Sequence, residues 1–451
     1  MPIWQHVKSV ISYQLSVIKL NYLLFTDLKV FMEKSINYLH LPKVIQNNNR
    51  LDILLALRGF ACLMVVIIHC APPRKALIYH NYDFSWLIFS HGAIAVWIFF
   101  CLSGYLMGKA FYTERYSSDV TGVINFWRNR VLRIFPLYYF AVLILSLFVY
   151  PDVLKFENWG YLLRVCTFTY HPYIASVPIA FNDVFWSLST EVQFYILVPF
   201  VYNLSKSLIF KQKHVITAAI LIILITFVIK SLYLLSFYPQ INHQMGYAFK
   251  YWYTPIFNNM DVFLSGFLVN AFIKYCKPKS STRDKTINHK LFINKKYIAI
   301  LLMILLYLFT AHHLYHQELW GLPNRPGGWR TITTLFIFQP LTAIITSFLI
   351  FAFESDNYHI YTKTEKLSFA AILKNPLRIL EVFGNLSYGV YIWHMPILLR
   401  IYTIFSSDIP IEAFYNRLVA TLTLSVILAT VTYYLVELPA TKLKRNHSSS
   451  N

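Results

Sequence analysis

Ten apolar stretches recur along this 451-residue chain, each near the roughly 20 residues a bilayer requires. They lie near 52–72, 86–107, 133–150, 186–205, 215–236, 252–273, 297–315, 331–352, 378–402 and 415–436. Such a series leaves one expected fold class: all-α, a polytopic transmembrane helical bundle of about ten spans. The scarcity of charge agrees. Only 13% of the residues are charged, where a soluble globular chain carries about 25%. The segment 159–181 is apolar in patches, but His171, Pro172, Pro178 and Asn182 make it a poor span, and it reads as an outer loop.

The net charge of +20 would suit a nucleic-acid partner, but its distribution argues against one. Sorted by alternate loops, 29 of the 40 lysines and arginines fall on one side of the expected bundle and nine on the other, with Arg58 and Lys230 inside spans. Cytoplasmic loops carry the excess of positive charge, so both termini are expected in the cytoplasm and the basicity is topological. Residues 1–50 hold an apolar run broken by Lys8 and Lys19, with no small-residue cleavage site of the secretory type, and read as a cytoplasmic or interfacial tail. Residues 51–440 form one membrane domain, and 441–451 a short cytoplasmic tail. Five cysteines, of which Cys62, Cys70 and Cys101 sit in apolar segments, make no disulfide framework. CLSGYL at 101–106 and FLSGFL at 263–268 echo each other, as expected of Ser-Gly pairs that let helices pack closely.

Ionisable residues inside lipid are costly, so they usually face a cavity or the bundle interior and mark function. Arg58 and His69 interrupt the first span, LDILLALRGFACLMVVIIHCA. Eleven positions apart, they return to nearly the same helix face, roughly 16–17 Å apart along the axis. With the amino terminus inside, Arg58 lies toward the cytoplasm and His69 toward the outer face. Arg130 and Arg133 fall where the third span begins on the cytoplasmic side, in FWRNRVLRIFPLYY. Guanidinium forks bind phosphate bidentately, so these two and Arg58 could form an anion cradle. The structural alternative is that they are positive-inside anchors. On the outer side, the fourth span opens FWSLSTEVQFYILVPF and places Glu191 at about the depth of His69, as a carboxylate that could orient it. His394, in GNLSYGVYIWHMP of the ninth span, is a second base, a substrate ligand or a satisfied core histidine. Asp52 is read as a helix N-cap.

LDILLALRGFACLMVVIIH resembles the first helix of the acyltransferase family 3 membrane proteins, whose signature is Arg or Lys, ten residues, then His. Arg130 and Arg133 match that family's Arg-x-x-Arg motif at the start of the third helix. FFCLSGYLMG (99–108), FWSLSTEVQFYILVP (185–199), LSYGVYIWHMP (386–396) and VELPATK (436–442) resemble further family blocks in the expected order, so the likeness covers roughly residues 51–442. Ile53 departs from it, standing where the family usually has Gly. Some members carry an extra C-terminal esterase-like domain, and none is expected here.

The resemblance implies acyl transfer from cytoplasmic acyl-CoA, most simply acetyl-CoA, to a hydroxyl of a cell-envelope or exported glycan. Arg58, Arg130 and Arg133 would hold the donor. His69 would take the acceptor proton, a task suited to an imidazole, whose unperturbed pKa is about 6.5, assisted by Glu191. No metal is expected. The partners are a glycan or lipid-linked saccharide, the bilayer and, as candidates, polysaccharide assembly proteins, in a bacterial inner (plasma) membrane. A transporter or flippase for a lipid-linked saccharide is the alternative. It would favour inverted repeats and helices broken by paired Gly or Pro in the two halves, and neither is seen. A non-enzymatic partner of an assembly machine would leave Arg58, His69 and Glu191 without a task.

Overall fold

Helices in lipid gain nothing from hiding apolar surface, so they associate through close packing, and close packing needs small residues at the crossing. The computed structural model, which describes residues 51–171, 181–243, 249–276, 285–316, 332–355, 372–373 and 375–443, is built on two such crossings. Its ten long helices among the described residues are α1 (Ile53–His69), α2 (Gly92–Tyr112), α3 (Val120–Ile144), α4 (Phe185–Leu208), α5 (Gln212–His243), α6 (Met260–Cys276), α7 (Lys285–Tyr315), α8 (Gln339–Glu354), α9 (Ile379–Ile401) and α10 (Pro410–Thr432). Each occupies one of the ten expected spans. Seven are long and apolar enough to cross a membrane, and the chain is a polytopic helical membrane protein. The other three are α1, which is shorter, and the more polar α4 and α9. These three carry Arg58, His69, Glu191 and His394.

The first crossing joins α1 to α9. A Cβ added at Gly59 would lie 2.0 Å from the Leu380 carbonyl oxygen, and one at Gly384 would lie 2.0 Å from that of Leu55. The backbones therefore touch, and only glycine fits. The contacts keep a nearly constant offset in sequence, from the Asp52 amide on Glu381 Oε1 (2.7 Å) to Cys62 near the Ser387 carbonyl, so the helices run parallel. Asp52 is the N-cap as expected, its carboxylate accepting from the amides of Leu54 and Leu55. Arg378 Nε donates to Glu381 at 3.1 Å and completes the joint between the two helix starts.

The second crossing joins α2 to α6, and here the two echoing motifs meet. A Cβ on Gly104 of CLSGYL would lie 1.9 Å from the Phe263 carbonyl oxygen, and one on Gly266 of FLSGFL 1.9 Å from that of Cys101. Trp97 donates to Asn259, and Asn270 to the Tyr105 carbonyl, again at a steady offset that makes the pair parallel. Around these pairs, α5 leaves Ile216, Ile220, Ile223, Leu224 and Phe227 exposed, as suits a helix facing lipid. Its one interior charge, Lys230, turns inward and meets Asp261 at 2.6 Å, and Gln339 donates to the same carboxylate.

The stretch expected to be an outer loop contains only the short helix Trp159–Cys166 before residue 171, so it spans nothing among the described residues. Between α1 and α2 lies a feature the hydropathy pattern missed, a small hairpin pairing Ile78–Tyr79 with Tyr82–Asp83. The N-terminal tail, residues 277–284 and the last eight residues lie outside the described residues.

Candidate active site

The α1–α9 crossing fixes the site, because each helix carries a histidine ten residues beyond its crossing glycine: Gly59 then His69, Gly384 then His394. Parallel helices held in register at the glycines bring these histidines side by side. His69 Nδ1 lies 2.9 Å from His394 Nε2. Their ring planes differ by 13° and their centroids stand 5.2 Å apart. This spacing leaves the rings edge to edge in nearly one plane, the geometry of a nitrogen-to-nitrogen hydrogen bond rather than of stacked faces. His394 is fully buried, whereas His69, the last residue of α1, is partly exposed.

Eleven residues back along α1, roughly 16–17 Å from His69, Arg58 occupies a second polar centre. Arg133 and Arg130 stand close enough to repel its charge, and Tyr195 and Glu191 offset that repulsion. The three arginines named from the sequence are thus brought together. Arg133 Nη1 reaches Glu437 at 3.4 Å. Arg130 lies over the Phe126 ring, and its Nε is buried with no hydrogen-bond partner among the described residues. Three guanidinium groups thus lie within electrostatic range of one another, one of them with an orphaned buried donor, and guanidinium is the group that binds phosphate bidentately.

Glu191 is not where the sequence suggested. Its Oε1 accepts from Ser103 Oγ at 2.7 Å and from the Tyr195 hydroxyl, and it belongs to the field of Arg58. No described contact joins it to His69. The reason is depth. Ser187, near the start of α4, is hydrogen-bonded to the Tyr391 hydroxyl at 2.7 Å, and Tyr391 stands three residues before His394 on α9. Helix α4 runs antiparallel to α9, so Glu191, four residues past Ser187, falls about 10 Å from the histidines along the axis. The partner of His69 is His394, where a carboxylate was expected.

Several partners escaped the sequence reading. Tyr195 was legible in principle, standing four residues from Glu191 on one helix face. Ser103 lies in CLSGYL, read from the sequence only as a packing element, and Glu437 in VELPATK, to which no role was given. Arg417, without a role in the sequence reading, is buried on α10 beside the end of α1, with its guanidinium over the Tyr402 ring and 3.5 Å from the Ala71 carbonyl.

The motif series has a counterpart in known proteins. The family of acyltransferase domains matches residues 50–435. The O-acetyltransferase OatA of Staphylococcus aureus is 23% identical over 406 residues, covering 86% of this chain and 56% of its own. The acyltransferase MdmB of Streptomyces mycarofaciens is 29% identical over 184 residues, 37% of this chain and 42% of its own. The peptidoglycan O-acetyltransferase OatA of Listeria monocytogenes is 30% identical over 141 residues, 28% of this chain and 21% of its own. The chain therefore spans only about half the length of the staphylococcal relative. No solved structure matches. The apolar bundle, the Arg58–His69 helix and the family match over most of the chain place this protein in acyltransferase family 3.

Proposed function

We propose that this chain is a membrane O-acyltransferase that moves an acyl group, in the simplest case acetyl, from cytoplasmic acyl-CoA to a hydroxyl of a cell-envelope glycan. One observation carries the reading. One helix, α1, carries Arg58 of the arginine cluster near its start and His69 of the histidine pair at its end, 16–17 Å apart by a rise of about 1.5 Å per residue. The loop charges support a cytoplasmic position for the Asp52 end and an outward one for the His69 end. CoA is polyanionic at its nucleotide end and carries the thioester on a long thin arm. Arg58, Arg130 and Arg133 would hold the phosphates while the arm runs along α1 toward His69. Glu191, tied to Ser103 and Tyr195, belongs to the donor half, where it offsets the charge of Arg58.

The chemistry then falls to His69. It removes the proton from the acceptor hydroxyl, whose oxygen bonds to the acyl carbonyl carbon. The carbon–sulfur bond breaks, and the departing thiolate receives the proton from His69. A positioned base of this kind contributes about 10²–10⁴-fold. The names of the relatives support acetyl as the group and a glycan such as peptidoglycan as the acceptor. The family match gives no support to the transporter alternative. A bacterial plasma membrane and association with glycan-assembly proteins follow from the same proposal.

The test uses the full chain, expressed in its own cells at matched levels and purified in detergent. His69→Ala should remove O-acyl groups from envelope glycans while acetyl-CoA still binds the purified protein. Arg130→Ala should weaken acetyl-CoA binding, and Arg130→Lys should recover part of it, because charge returns without the fork. Normal O-acylation by His69→Ala, or unchanged acetyl-CoA affinity in the alanine variants of all three arginines, would overturn the corresponding half.

A further inference from the structure

The hydrogen bonds around His394 determine where the protons of both histidines sit. His394 Nδ1 lies 2.8 Å from the Tyr391 carbonyl oxygen and 3.3 Å from that of Val390. A carbonyl oxygen only accepts, so Nδ1 must carry the hydrogen. In a neutral imidazole the other nitrogen then has a bare lone pair, and His394 Nε2 is an acceptor. Its neighbour at 2.9 Å, His69 Nδ1, must therefore donate. A neutral His69 with its proton on Nδ1 has its own lone pair on Nε2, across the ring and away from His394.

We propose that His394 is a positioning residue that fixes His69 in the tautomer whose Nε2 is the free base. This rests on the reading of His69 as the general base, and it replaces the second-base and substrate-ligand roles the sequence left open for His394. Burial excludes both of those. His394 is fully enclosed and spends both ring nitrogens inside the protein, so it reaches no acceptor hydroxyl. Partly exposed, His69 is the member of the pair that meets substrate. When His69 takes the acceptor proton on Nε2, its Nδ1–H remains bonded to the His394 lone pair, which stabilises the imidazolium. A buried histidine thus does what a buried carboxylate does in a serine hydrolase triad, without adding a negative charge to the membrane interior. The edge-to-edge rings make the bond straight, and the Gly59–Gly384 contact sets its length.

The experiment compares His394→Ala, His394→Gln and His69→Ala in the full chain. The tautomer is read directly by the ¹⁵N resonances of histidine-labelled protein in detergent, and turnover by the O-acyl content of envelope glycans at matched expression. In the wild type, His69 Nε2 should give the signal of an unprotonated nitrogen. In His394→Ala, with no acceptor for Nδ1–H, a protonated Nε2 should appear, and turnover should fall by about 10²–10⁴-fold, the range for losing a positioned base or its orienting partner. Acetyl-CoA affinity should not change. His394→Gln can place a carbonyl oxygen near the former Nε2, so it should restore the wild-type tautomer and much of the rate. A protonated His69 Nε2 in the wild type would overturn the proposal. So would a fully active His394→Ala beside an inactive His69→Ala, which leaves His69 as base and removes only the role of His394. If His69→Ala is itself active, the general-base reading fails first, and the ¹⁵N result still decides the tautomer.

Discussion

Replacing Gly384 by alanine tests whether the contact of two backbones sets the geometry of the histidine pair. The added Cβ would sit 2.0 Å from the Leu55 carbonyl oxygen, where real Cβ atoms essentially never approach within 3.0 Å. Helices α1 and α9 must therefore separate by at least about 1 Å. The obstructing atom is backbone, so no side-chain rotation relieves it, and overpacking of this kind costs about 1–3 kcal/mol. Carried along the rigid helices, the same displacement lengthens the 2.9 Å bond between His69 and His394 beyond the 3.5 Å limit of a hydrogen bond. A misplacement of about 1 Å at a reacting centre can lower turnover about 10²-fold. We expect Gly384→Ala to insert normally, to unfold at a lower temperature when followed with a thiol-reactive dye on the buried Cys62, Cys70 and Cys101, and to lose most glycan O-acylation. Gly59→Ala should behave alike, its Cβ meeting the Leu380 carbonyl. The double variant should cost much less than the sum, because one separation of the helices relieves both clashes. Gly160→Ala, with nothing within 4 Å of the new Cβ, is the control. Wild-type melting and wild-type O-acylation in Gly384→Ala would refute the reasoning.

Three further outcomes follow from other parts of the fold. Lys230→Met should destabilise the protein by about 3–5 kcal/mol, because it strands the buried Asp261 carboxylate; the double variant Lys230→Met/Asp261→Leu should melt closer to wild type, and equal melting of the single variant and wild type would show that the pair is not buried. A reporter fused after Ser450 should read cytoplasmic and one inserted near Pro326 extracytoplasmic, and the opposite result at either site would reverse the assigned orientation. Partial burial pushes the Asp83 carboxyl up, but the hydrogen bonds from Ser85 and Tyr315 outweigh it and hold the group below its ordinary value. A carboxylate held low stabilises the fold above its unfolded pKa and loses that contribution as pH falls through the folded one. Amide exchange in residues 76–89 should therefore stay slow through the ordinary carboxylate range and quicken only below it, and quickening well above that range would contradict the hydrogen-bonded hairpin.

Much of this protein is local physics and was legible in the chain. Transfer into lipid is decided segment by segment, so hydropathy placed the ten helices, and Asp52 could be read as a cap because its partners are two and three residues away. Arg58 and His69 could be placed in one column because both ride on one helix, whose rise and turn are fixed by backbone hydrogen bonds. Tertiary structure alone decided which helices touch. Nothing local says that Gly59 meets Gly384 or that Gly104 meets Gly266, since each contact joins residues more than 150 positions apart whose only shared signal is a missing side chain. Those contacts set the relative depth of the helices, and depth chose the partners. Glu191, which shares a span end with His69 in sequence, lies a turn and more deeper and joins Arg58, while His394, 325 residues away from His69, becomes its hydrogen-bond partner. A hydrogen bond is lost within an ångström, whereas hydropathy places a helix only to within a turn, so the bundle could be read from the chain and the pairing of its charges required the fold.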